Sequence, residues 1–448
     1  MPDGATSSDP AVQRQLDRLN ALSPGADTLG LDRVVRLLDR LGNPHDSLPP
    51  AFHVAGTNGK GSTCAFLRAA IEASGGTVHV YSSPHLVRFN ERIRVSGRLI
   101  EDAALAALLE EVLDAGGDIG ASFFEVTTAA AFLAFSRTPA TACIVEVGLG
   151  GRLDATNVLK APAATAIAQL GIDHQAFLGD TAEAIAGEKA GIAKAGVPLV
   201  TMRYAPPVAD RVLDVADAAG APVFAQGEAW QFAVEHGTLV YSDARGTVET
   251  PLPALAGPHQ SGNLALAIAI LRHQPRFRVA GAALSAAART ARWPARMQRL
   301  GDGPLSALAP EGSDLWLDGG HNAAAGEAVA GSVRALRQDG GTPRRPCHLI
   351  LGMLANKDPA GLIGPLAPMV DAVVAVPVAG HAHHEPRALA EIARALGIVD
   401  TATAEDVRAA LALIARRADP LQAPPLLLIL GSLYLAGTVL EANCELPD

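Results

Sequence analysis

Short apolar runs recur along the chain, and each is followed by a glycine-rich or polar segment. The run at 52–55 breaks into glycines and continues into a helix-compatible segment that reaches about Ala73, and the run at 77–81 comes next. Buried strands that alternate with helices are typical of a parallel α/β sheet. Because ligands bind at the carboxyl ends of such strands, the residues that directly follow the apolar runs are the candidate site residues.

A second strand-helix series begins after Trp293-Pro-Ala-Arg-Met-Gln298. Its predicted strands are 315–318, 347–351, 372–376 and 426–430. Ahead of it, the stretch 228–252 is rich in Thr, Val, Tyr and Gly, which predicts a small β excursion. The pattern therefore predicts an α/β protein of two domains: 1–295, with a mainly parallel sheet, and 296–448, a smaller α/β domain of Rossmann type.

The segment Gly56-Thr-Asn-Gly-Lys-Gly-Ser62 has the composition of a phosphate-binding loop. Its glycines allow a tight turn with inward-facing N–H groups, and Ser62 or Thr63 is predicted to cap the helix that follows. These amides, the helix N-terminus and the Lys60 ammonium would together bind a polyphosphate. The generic nucleotide loop has a glycine two residues earlier and a Ser or Thr directly after the lysine, so a glycine-rich turn without function is the alternative.

Polar residues crowd the segment after the second strand, Ser82-Ser-Pro-His-Leu-Val-Arg-Phe-Asn-Glu-Arg-Ile93. It lacks helical and strand periodicity, which indicates a loop that is either functional or merely solvated. Phe123 and Phe124 open a later helix, where they either line a ligand site or lie in the core.

An acidic residue, Glu146, interrupts the β-branched strand 142–147. A buried carboxylate is costly unless a cation neutralises it, which makes Glu146 a candidate metal ligand. His174 follows the strand 163–170, so both side chains are expected at the carboxyl edge of the sheet. A lone histidine is more often a satisfied core residue, and it is the neighbouring Glu146 that favours a ligand role for His174.

Two further polar segments add one prediction and one open choice. Asp180-Thr-Ala-Glu183 predicts a capping box for a helix that carries Lys189 and Lys194 and ends near Gly196. The cluster His381-Ala-His-His-Glu385 is either a metal site or an ordinary polar loop, and its composition alone favours the loop.

Composition narrows the function classes. The formal charge of −10, without any Lys/Arg-rich block, argues against a nucleic-acid partner. The four cysteines are scattered without a C-x-x-C pair, which fits packing residues in a reducing compartment. The polar N-terminus lacks the features of a signal peptide, and the longest apolar run, near 425–436, is too short to span a bilayer. These features predict a cytoplasmic protein without a membrane partner.

The motifs, taken in chain order, closely resemble those of the folylpolyglutamate synthase and dihydrofolate synthase family of the Mur ligase superfamily. The matching segments are 56–62, 82–93, 123–130, 146–157, 171–174, 187–191, 259–263, 318–322, 352–358 and 431–436. The resemblance implies a P-loop, Mur-ligase-like ATPase domain with a folate site, followed by a Rossmann-like C-terminal ligase domain. The implied cofactors are ATP and Mg²⁺.

The resemblance also implies roles for individual residues. The residues expected to contact ATP are Gly56, Thr57, Asn58, Gly59, Lys60, Gly61, Ser62, Asn263, Arg296, Asp318 and His321. Those expected to coordinate Mg²⁺ are Ser83, Glu146 and His174, and those expected at the folate are Arg92, Phe124 and Asp154. The expected catalytic residues are Lys60, Glu146, His174 and Lys189.

Lys189 is implied to be carbamylated near the metal. Burial favours the neutral amine, which is the form that reacts with carbon dioxide, whereas a surface lysine is the alternative. Three departures from the family pattern, at Ala295, Gly320 and Ala355-Asn356, concern the fit of the backbone more than the chemistry.

The implied reaction adds L-glutamate to dihydropteroate, forming dihydrofolate, and to the glutamate tails of folates, in a monomeric enzyme. ATP converts the carboxylate, a poor acyl donor, into an acyl phosphate that the glutamate amine attacks, which explains the lack of a visible Ser or Cys nucleophile. The alternatives are a folylpolyglutamate synthase only, another Mur-type amino-acid ligase, or a nucleotide-binding regulatory protein without turnover.

Overall fold

The computed structural model describes residues 5–22, 29–337, 345–418 and 423–448. The chain divides into two compact units. Unit 1 comprises Met1–Ala254, Gln260–Arg292 and Asp448, and unit 2 comprises Leu255–His259 and Trp293–Pro447. The sequence predicts a single domain boundary after residue 295. The main segment of unit 2 begins at Trp293, and Leu255–His259 is a second, earlier segment of the same unit.

Unit 1 contains an eight-stranded sheet. Its strands are β1 (Ala51–Ala55), β2 (Val78–Tyr81), β3 (Ile93–Val95), β4 (Arg98–Leu99), β5 (Ala142–Glu146), β6 (Ala164–Ile167), β7 (Leu199–Thr201) and β8 (Val223–Ala225). The order across the sheet is β4-β3-β2-β5-β1-β6-β7-β8, and all strands but β3 and β4 pair in parallel. The predicted mainly parallel sheet is confirmed, and its antiparallel edge is an addition that the apolar pattern did not indicate.

In unit 1, α1 and α2 precede the first strand, and the other helices lie between strands or after them. They are α1 (Pro10–Leu22), α2 (Asp32–Arg40), α3 (Lys60–Ala73), α4 (Asp102–Gly116), α5 (Phe123–Ser136), α6 (Gln175–Leu178), α7 (Ala182–Ala190), α8 (Pro206–Ala219), α9 (His259–His273) and α10 (Gly281–Thr290). Apolar residues of α1, α2, α4 and α5 form one buried cluster with Tyr81, Cys143 and Val145 of the sheet. The predicted β excursion is confirmed as a separate three-stranded antiparallel sheet of β9 (Trp230–Glu235), β10 (Thr238–Asp243) and β11 (Gly246–Pro251).

Two predicted helix starts are wrong. Helix α3 begins at Lys60, and its N-cap is Gly59 rather than Ser62 or Thr63, because the left-handed Gly59 (φ +83°) turns the chain directly into the helix. Helix α7 is capped by Thr181 rather than Asp180, since the Thr181 hydroxyl accepts the Ala184 N–H at 3.1 Å. That helix ends at Ala190, so Lys194 lies beyond it.

Unit 2 contains a six-stranded sheet. Its strands are β12 (Gln298–Arg299), β13 (Asp314–Leu317), β14 (Cys347–Leu351), β15 (Ala372–Ala375), β16 (Asp400–Thr403) and β17 (Leu426–Leu430). Their order is β12-β13-β17-β14-β15-β16, and only β12 pairs in antiparallel fashion. The helices are α11 (Ala323–Arg337), α12 (Pro359–Ile363), α13 (Pro386–Ala395), α14 (Val407–Arg417) and α15 (Leu433–Ala442). This is the predicted second α/β unit, with β12 and β16 added at its edges.

None of the helices in the described ranges has both the length and the apolar character that crossing a membrane requires.

Candidate nucleotide and metal site

The four central strands β2, β5, β1 and β6 lie side by side and point the same way, so their carboxyl ends form one edge. Ser83 follows β2, Glu146 ends β5, the glycine loop follows β1, and His174 follows β6. The topology therefore brings the predicted phosphate and metal residues of unit 1 to one edge of one sheet, where ligands of parallel sheets bind.

The glycine loop is fastened to the segment after β6. The amides of Thr57 and Asn58 both donate to the carbonyl of Gln169, at 2.9 and 3.1 Å, and the Thr57 hydroxyl donates to the carbonyl of Gly171 at 3.0 Å. These two amides therefore donate to a carbonyl of the protein itself, a hydrogen-bond pattern that the sequence did not predict. The amides of the first turn of α3 have no acceptor within the helix, and they are the N–H groups best placed for a phosphate.

Two glycines of the loop are required by close contacts. A Cβ at Gly56 (φ +147°) would lie 2.9 Å from the Ala168 Cβ, and a Cβ at Gly59 would lie 2.5 Å from the Asn263 Oδ1. The predicted ATP ligand Asn263 is therefore in contact with the phosphate loop. Its amide nitrogen donates to Gln260 Oε1 at 2.9 Å, which fixes its orientation.

Two ammonium groups share one carbonyl of the loop. Lys60 Nζ and Lys189 Nζ each donate to the Gly56 oxygen at 3.0 Å. Lys189 is buried, and burial together with the charge of Lys60 lowers its pKa from 10.5 to about 7, although Asp173 and Asp154 act in the opposite direction. The surface-lysine alternative for Lys189 is therefore excluded.

The predicted metal ligands differ in their surroundings. Glu146 is buried, and its backbone is in register with Val54 of β1. Burial raises the pKa of the Cys64 thiol in α3, and the charge of Glu146 raises it further, whereas the charge of Lys60 lowers it. Both charges therefore act near the start of α3. His174 is exposed and has a left-handed backbone (φ +52°), with its amide donating to Asp173 Oδ1 at 2.8 Å.

A carboxylate, a hydroxyl and an imidazole together fit a divalent cation such as Mg²⁺ or Mn²⁺. Across the described residues, no three His, Cys, Asp or Glu side chains group closely enough to hold a metal. The predicted set of Ser83, Glu146 and His174 contains only two side chains of those types.

Asp154 organises the loop after β5. It is buried, its Oδ2 accepts the Leu149 amide at 2.8 Å, and its Oδ1 accepts the Thr156 amide at 3.0 Å and the Thr156 hydroxyl. Burial raises the pKa of Asp154, whereas these donors lower it. The Thr156 hydroxyl also contacts His53 Nε2 at 2.8 Å, which ties the loop to β1.

The other predicted folate residues lie close to this loop or to the core beside it. A Cβ on Gly148 would lie 2.4 Å from the ring of Phe124, so the glycine allows this ring to pack on the loop. Arg92 is fully buried, with its guanidinium over the rings of Phe89 and Phe123 and its Nε donating to His85 Nδ1 at 2.9 Å. Phe123 is a core residue, as one of the two sequence alternatives proposed.

In unit 2, Asp318 follows β13 and holds two neighbouring backbone segments. Its Oδ2 accepts the Met297 amide at 2.8 Å and its Oδ1 accepts the Gly320 amide at 2.7 Å. A Cβ on Gly320 would come within 2.9 Å of that Oδ1, which explains the glycine here. His321 Nδ1 donates to the Gly319 carbonyl at 3.1 Å. Burial lowers the pKa of His259, the charge of Asp318 raises it, and the charge of Arg296 lowers it further. Both charges therefore lie near that ring.

The cluster 381–385 forms a polar loop. His383 Nδ1 donates to the His381 carbonyl at 2.7 Å, His384 Nε2 donates to the Lys357 carbonyl at 2.9 Å, and the His381 ring stacks on Tyr434. Ring nitrogens of His383 and His384 thus donate to backbone carbonyls and do not point together at a cation.

Comparisons with known proteins identify the family. The chain is 37% identical over 353 residues to the dihydrofolate synthase/folylpolyglutamate synthase of Escherichia coli K12, covering 79% of this chain and 78% of that protein. The chain belongs to the dihydrofolate synthase/folylpolyglutamate synthase family. Residues 304–442 match the family model for the C-terminal domain of dihydrofolate synthetase, and the dihydrofolate synthetase of Saccharomyces cerevisiae is 29% identical over 432 residues, 93% of this chain and 98% of that one.

Solved structures of this family share the fold over almost the whole chain. E. coli FolC in complex with DHPP and ADP matches with a TM-score of 0.84 and 33% identity, covering 97% of this chain and 98% of that chain. The bifunctional folylpolyglutamate synthase/dihydrofolate synthase of Yersinia pestis, complexed with AMPPNP and Mn ion, matches with a TM-score of 0.84 and 30% identity over 98% of both chains. The predicted Mur-ligase-like α/β fold and the predicted family are both confirmed.

Proposed function

We propose that the protein joins L-glutamate to dihydropteroate, forming dihydrofolate, and extends the glutamate tails of folates, in an ATP-dependent reaction. The observation that carries the proposal is the sheet edge of unit 1. There, a glycine loop that accepts hydrogen bonds from the Lys60 and Lys189 side chains adjoins the strand that ends in a buried carboxylate, in a chain whose relatives bear the names of these two activities.

The residue types suit acyl activation by phosphoryl transfer. The substrate carboxylate attacks the γ-phosphorus of ATP and displaces ADP, which gives an acyl phosphate. The glutamate amine then attacks the acyl carbon, expels phosphate and loses a proton to form the amide. Lys60 and the amides at the start of α3 bind the phosphates and neutralise charge in the transition state. Ser83, Glu146 and His174 hold Mg²⁺, which when bound offsets phosphate charge.

The remaining proposed contacts concern the nucleotide and the folate. Asn263, Arg296, Asp318 and His321 bind ATP. Phe124 and Asp154 lie at the pterin ring, with Arg92 supporting their surroundings through its stacking on Phe89 and Phe123. Lys189 acts as a carbamate beside the metal, which its burial and low pKa support.

The protein acts as a monomer in the cytoplasm on small molecules alone, without a nucleic-acid or membrane partner. The formal charge of −10 supports the lack of a nucleic-acid partner, because it disfavours binding to polyanions.

Purified protein incubated with ATP, Mg²⁺, glutamate and either dihydropteroate or tetrahydrofolate tests the proposal. We expect release of ADP and phosphate, with a new glutamate conjugate, for both acceptors. Turnover with tetrahydrofolate alone would show a folylpolyglutamate synthase only. Turnover with neither acceptor would contradict the proposed function.

Replacing Asp154 by alanine should weaken use of dihydropteroate more than use of ATP. The carboxylate holds the amides of Leu149 and Thr156, so its loss should loosen the loop against Phe124 and raise the KM for dihydropteroate about tenfold or more. The KM for ATP should change less than threefold, and the free energy of unfolding should fall by about 1–3 kcal/mol. Steady-state kinetics and thermal unfolding measure these changes.

The control is Thr156→Val, which removes one hydroxyl donor but leaves the carboxylate and its two amide partners in place. It should have a smaller effect on the KM for dihydropteroate. If Asp154→Ala raises both KM values equally, Asp154 is a structural residue and not part of the folate site.

A further inference from the structure

Two buried residues with left-handed backbones flank Arg296. Ala295 has φ +55° and Met297 has φ +43°, and both side chains are almost fully buried. This conformation is unfavourable for a residue with a Cβ, because the Cβ approaches the next carbonyl oxygen. The turn 295–297 must therefore be held in place by its surroundings.

Hydrogen bonds hold this turn from two sides. On one side, the Met297 amide donates to Asp318 Oδ2 at 2.8 Å, and the Gly319 amide donates to the Ala295 carbonyl at 3.0 Å. On the other side, the Ala295 amide donates to Gln298 Oε1 at 2.9 Å. The Gln298 side chain thus binds the residue whose backbone is strained.

Gln298 is itself fixed by an acidic residue near the end of the chain. Its Nε2 donates to Glu445 Oε2 at 2.9 Å. Glu445 Oε1 in turn accepts the Gly301 amide at 2.7 Å and the Asn443 Nδ2 at 2.6 Å. Both functional atoms of the Gln298 amide are therefore used, and its orientation is determined by a carboxylate that is itself held in place.

We propose that Gln298 is a positioning residue for Arg296, holding Ala295 in its left-handed conformation so that Arg296 leaves the turn in the direction required to bind ATP. The proposal rests on the proposed function, in which Arg296 contacts ATP. Asp318, which holds the other end of the turn, is itself proposed to bind ATP, whereas Gln298 and Glu445 act only through the backbone. Arg296 is only partly buried, so burial alone does not fix its direction.

The first test is Gln298→Met, which keeps the length of the side chain and removes both hydrogen bonds. We expect the KM for ATP to rise about tenfold, as for the loss of one well-formed hydrogen bond, with kcat and the KM for dihydropteroate within about threefold of wild type. Glu445→Ala leaves the bond between Gln298 and Ala295 in place and removes the carboxylate that holds Gln298, Gly301 and Asn443, so it should raise the KM for ATP by a smaller factor. Should Gln298→Met fail to fold, Glu445→Ala carries the test.

The second test is the double variant Ala295→Gly with Gln298→Met. Glycine adopts the left-handed conformation without strain, so the double variant should recover most of the lost ATP affinity if Gln298 acts through Ala295. The matched control is Gln274→Met in unit 1, a buried glutamine whose Oε1 accepts the amides of Arg276 and Phe277 at 2.6 and 3.2 Å. It should lower the unfolding temperature without changing the KM for ATP.

The outcomes separate this inference from the function on which it rests. A wild-type protein that turns over neither folate acceptor contradicts the proposed function. An active wild type whose Arg296→Ala variant keeps its KM for ATP contradicts the nucleotide role of Arg296. If Arg296→Ala raises that KM but Gln298→Met does not, or if Ala295→Gly gives no recovery, the positioning role of Gln298 is wrong.

Discussion

Replacing Glu146 by glutamine is expected to leave the fold intact and to lower kcat/KM about a thousandfold. The change keeps the volume of a buried side chain at the end of β5 but removes the charge that a hard cation requires. Because the transition state of phosphoryl transfer carries spread negative charge, a lost cation contact is felt mainly in kcat. The measurement is the rate of ADP release as a function of Mg²⁺ concentration, together with the unfolding temperature.

A matched control is Asp243→Asn on β10. The Asp243 side chain is also shielded from solvent, but it is paired with Arg272, and its strand belongs to the separate three-stranded sheet. The control should lower stability, because it leaves a cation without its partner, and should keep the Mg²⁺ dependence of wild type. A Glu146→Gln protein with wild-type Mg²⁺ dependence would contradict the ligand role of Glu146.

The parallel strands of both units could be predicted from sequence because they are short, continuous apolar runs that end in glycine or polar residues. Five-residue runs such as 347–351 and 426–430 are strands with the predicted bounds. The short strands β3, β4, β12 and β16 lie at a sheet edge or next to one, carry polar or charged residues and have no such signal. Edge strands are covered less and can be polar, so the apolar pattern does not mark them.

The candidate site was predictable where chemistry is tied to a motif, and not where it depends on long-range backbone contacts. The glycine loop, Glu146 and Lys189 stand out by residue type in an unusual setting. The use of the Thr57 and Asn58 amides by Gln169 could not be seen, because the partners are more than a hundred residues apart in the chain. The same holds for Gln298 and Glu445, whose pairing depends on the end of the chain lying next to β12.

Replacing Lys189 by methionine is expected to lower activity at least a hundredfold and to raise stability at neutral pH. The neutral amine attacks carbon dioxide, an N–C bond forms and a proton is lost, which leaves an anionic carbamate able to offset metal charge. Methionine cannot form this group. Electron density beyond the Lys189 nitrogen in wild-type crystals grown with bicarbonate, and kinetics of the variant, are the measurements.

The stability effect of that variant has a defined pH dependence. In protein kept free of bicarbonate, where Lys189 is a free amine, burial lowers its folded-state pKa from 10.5 to about 7. Between these values the unfolded chain binds the additional proton, so the stability of the wild type rises with pH. The stability gain of Lys189→Met, several kcal/mol at neutral pH, should therefore be largest at and below about pH 7 and disappear towards pH 10.5. The Gly56 carbonyl keeps the Lys60 ammonium as a donor, so no buried acceptor is left unpaired.

The matched control for Lys189 is Lys194→Met. Lys194 lies beyond α7, its ammonium donates to the Asn157 carbonyl at 3.1 Å, and burial lowers its pKa as well. It shares the chemistry of Lys189 but does not contact the phosphate loop carbonyl, so its replacement should leave kcat within about threefold of wild type. A Lys189→Met protein with full activity would contradict the carbamate. Equal losses in both variants would instead show that the segment 187–194 supports the site only through its packing.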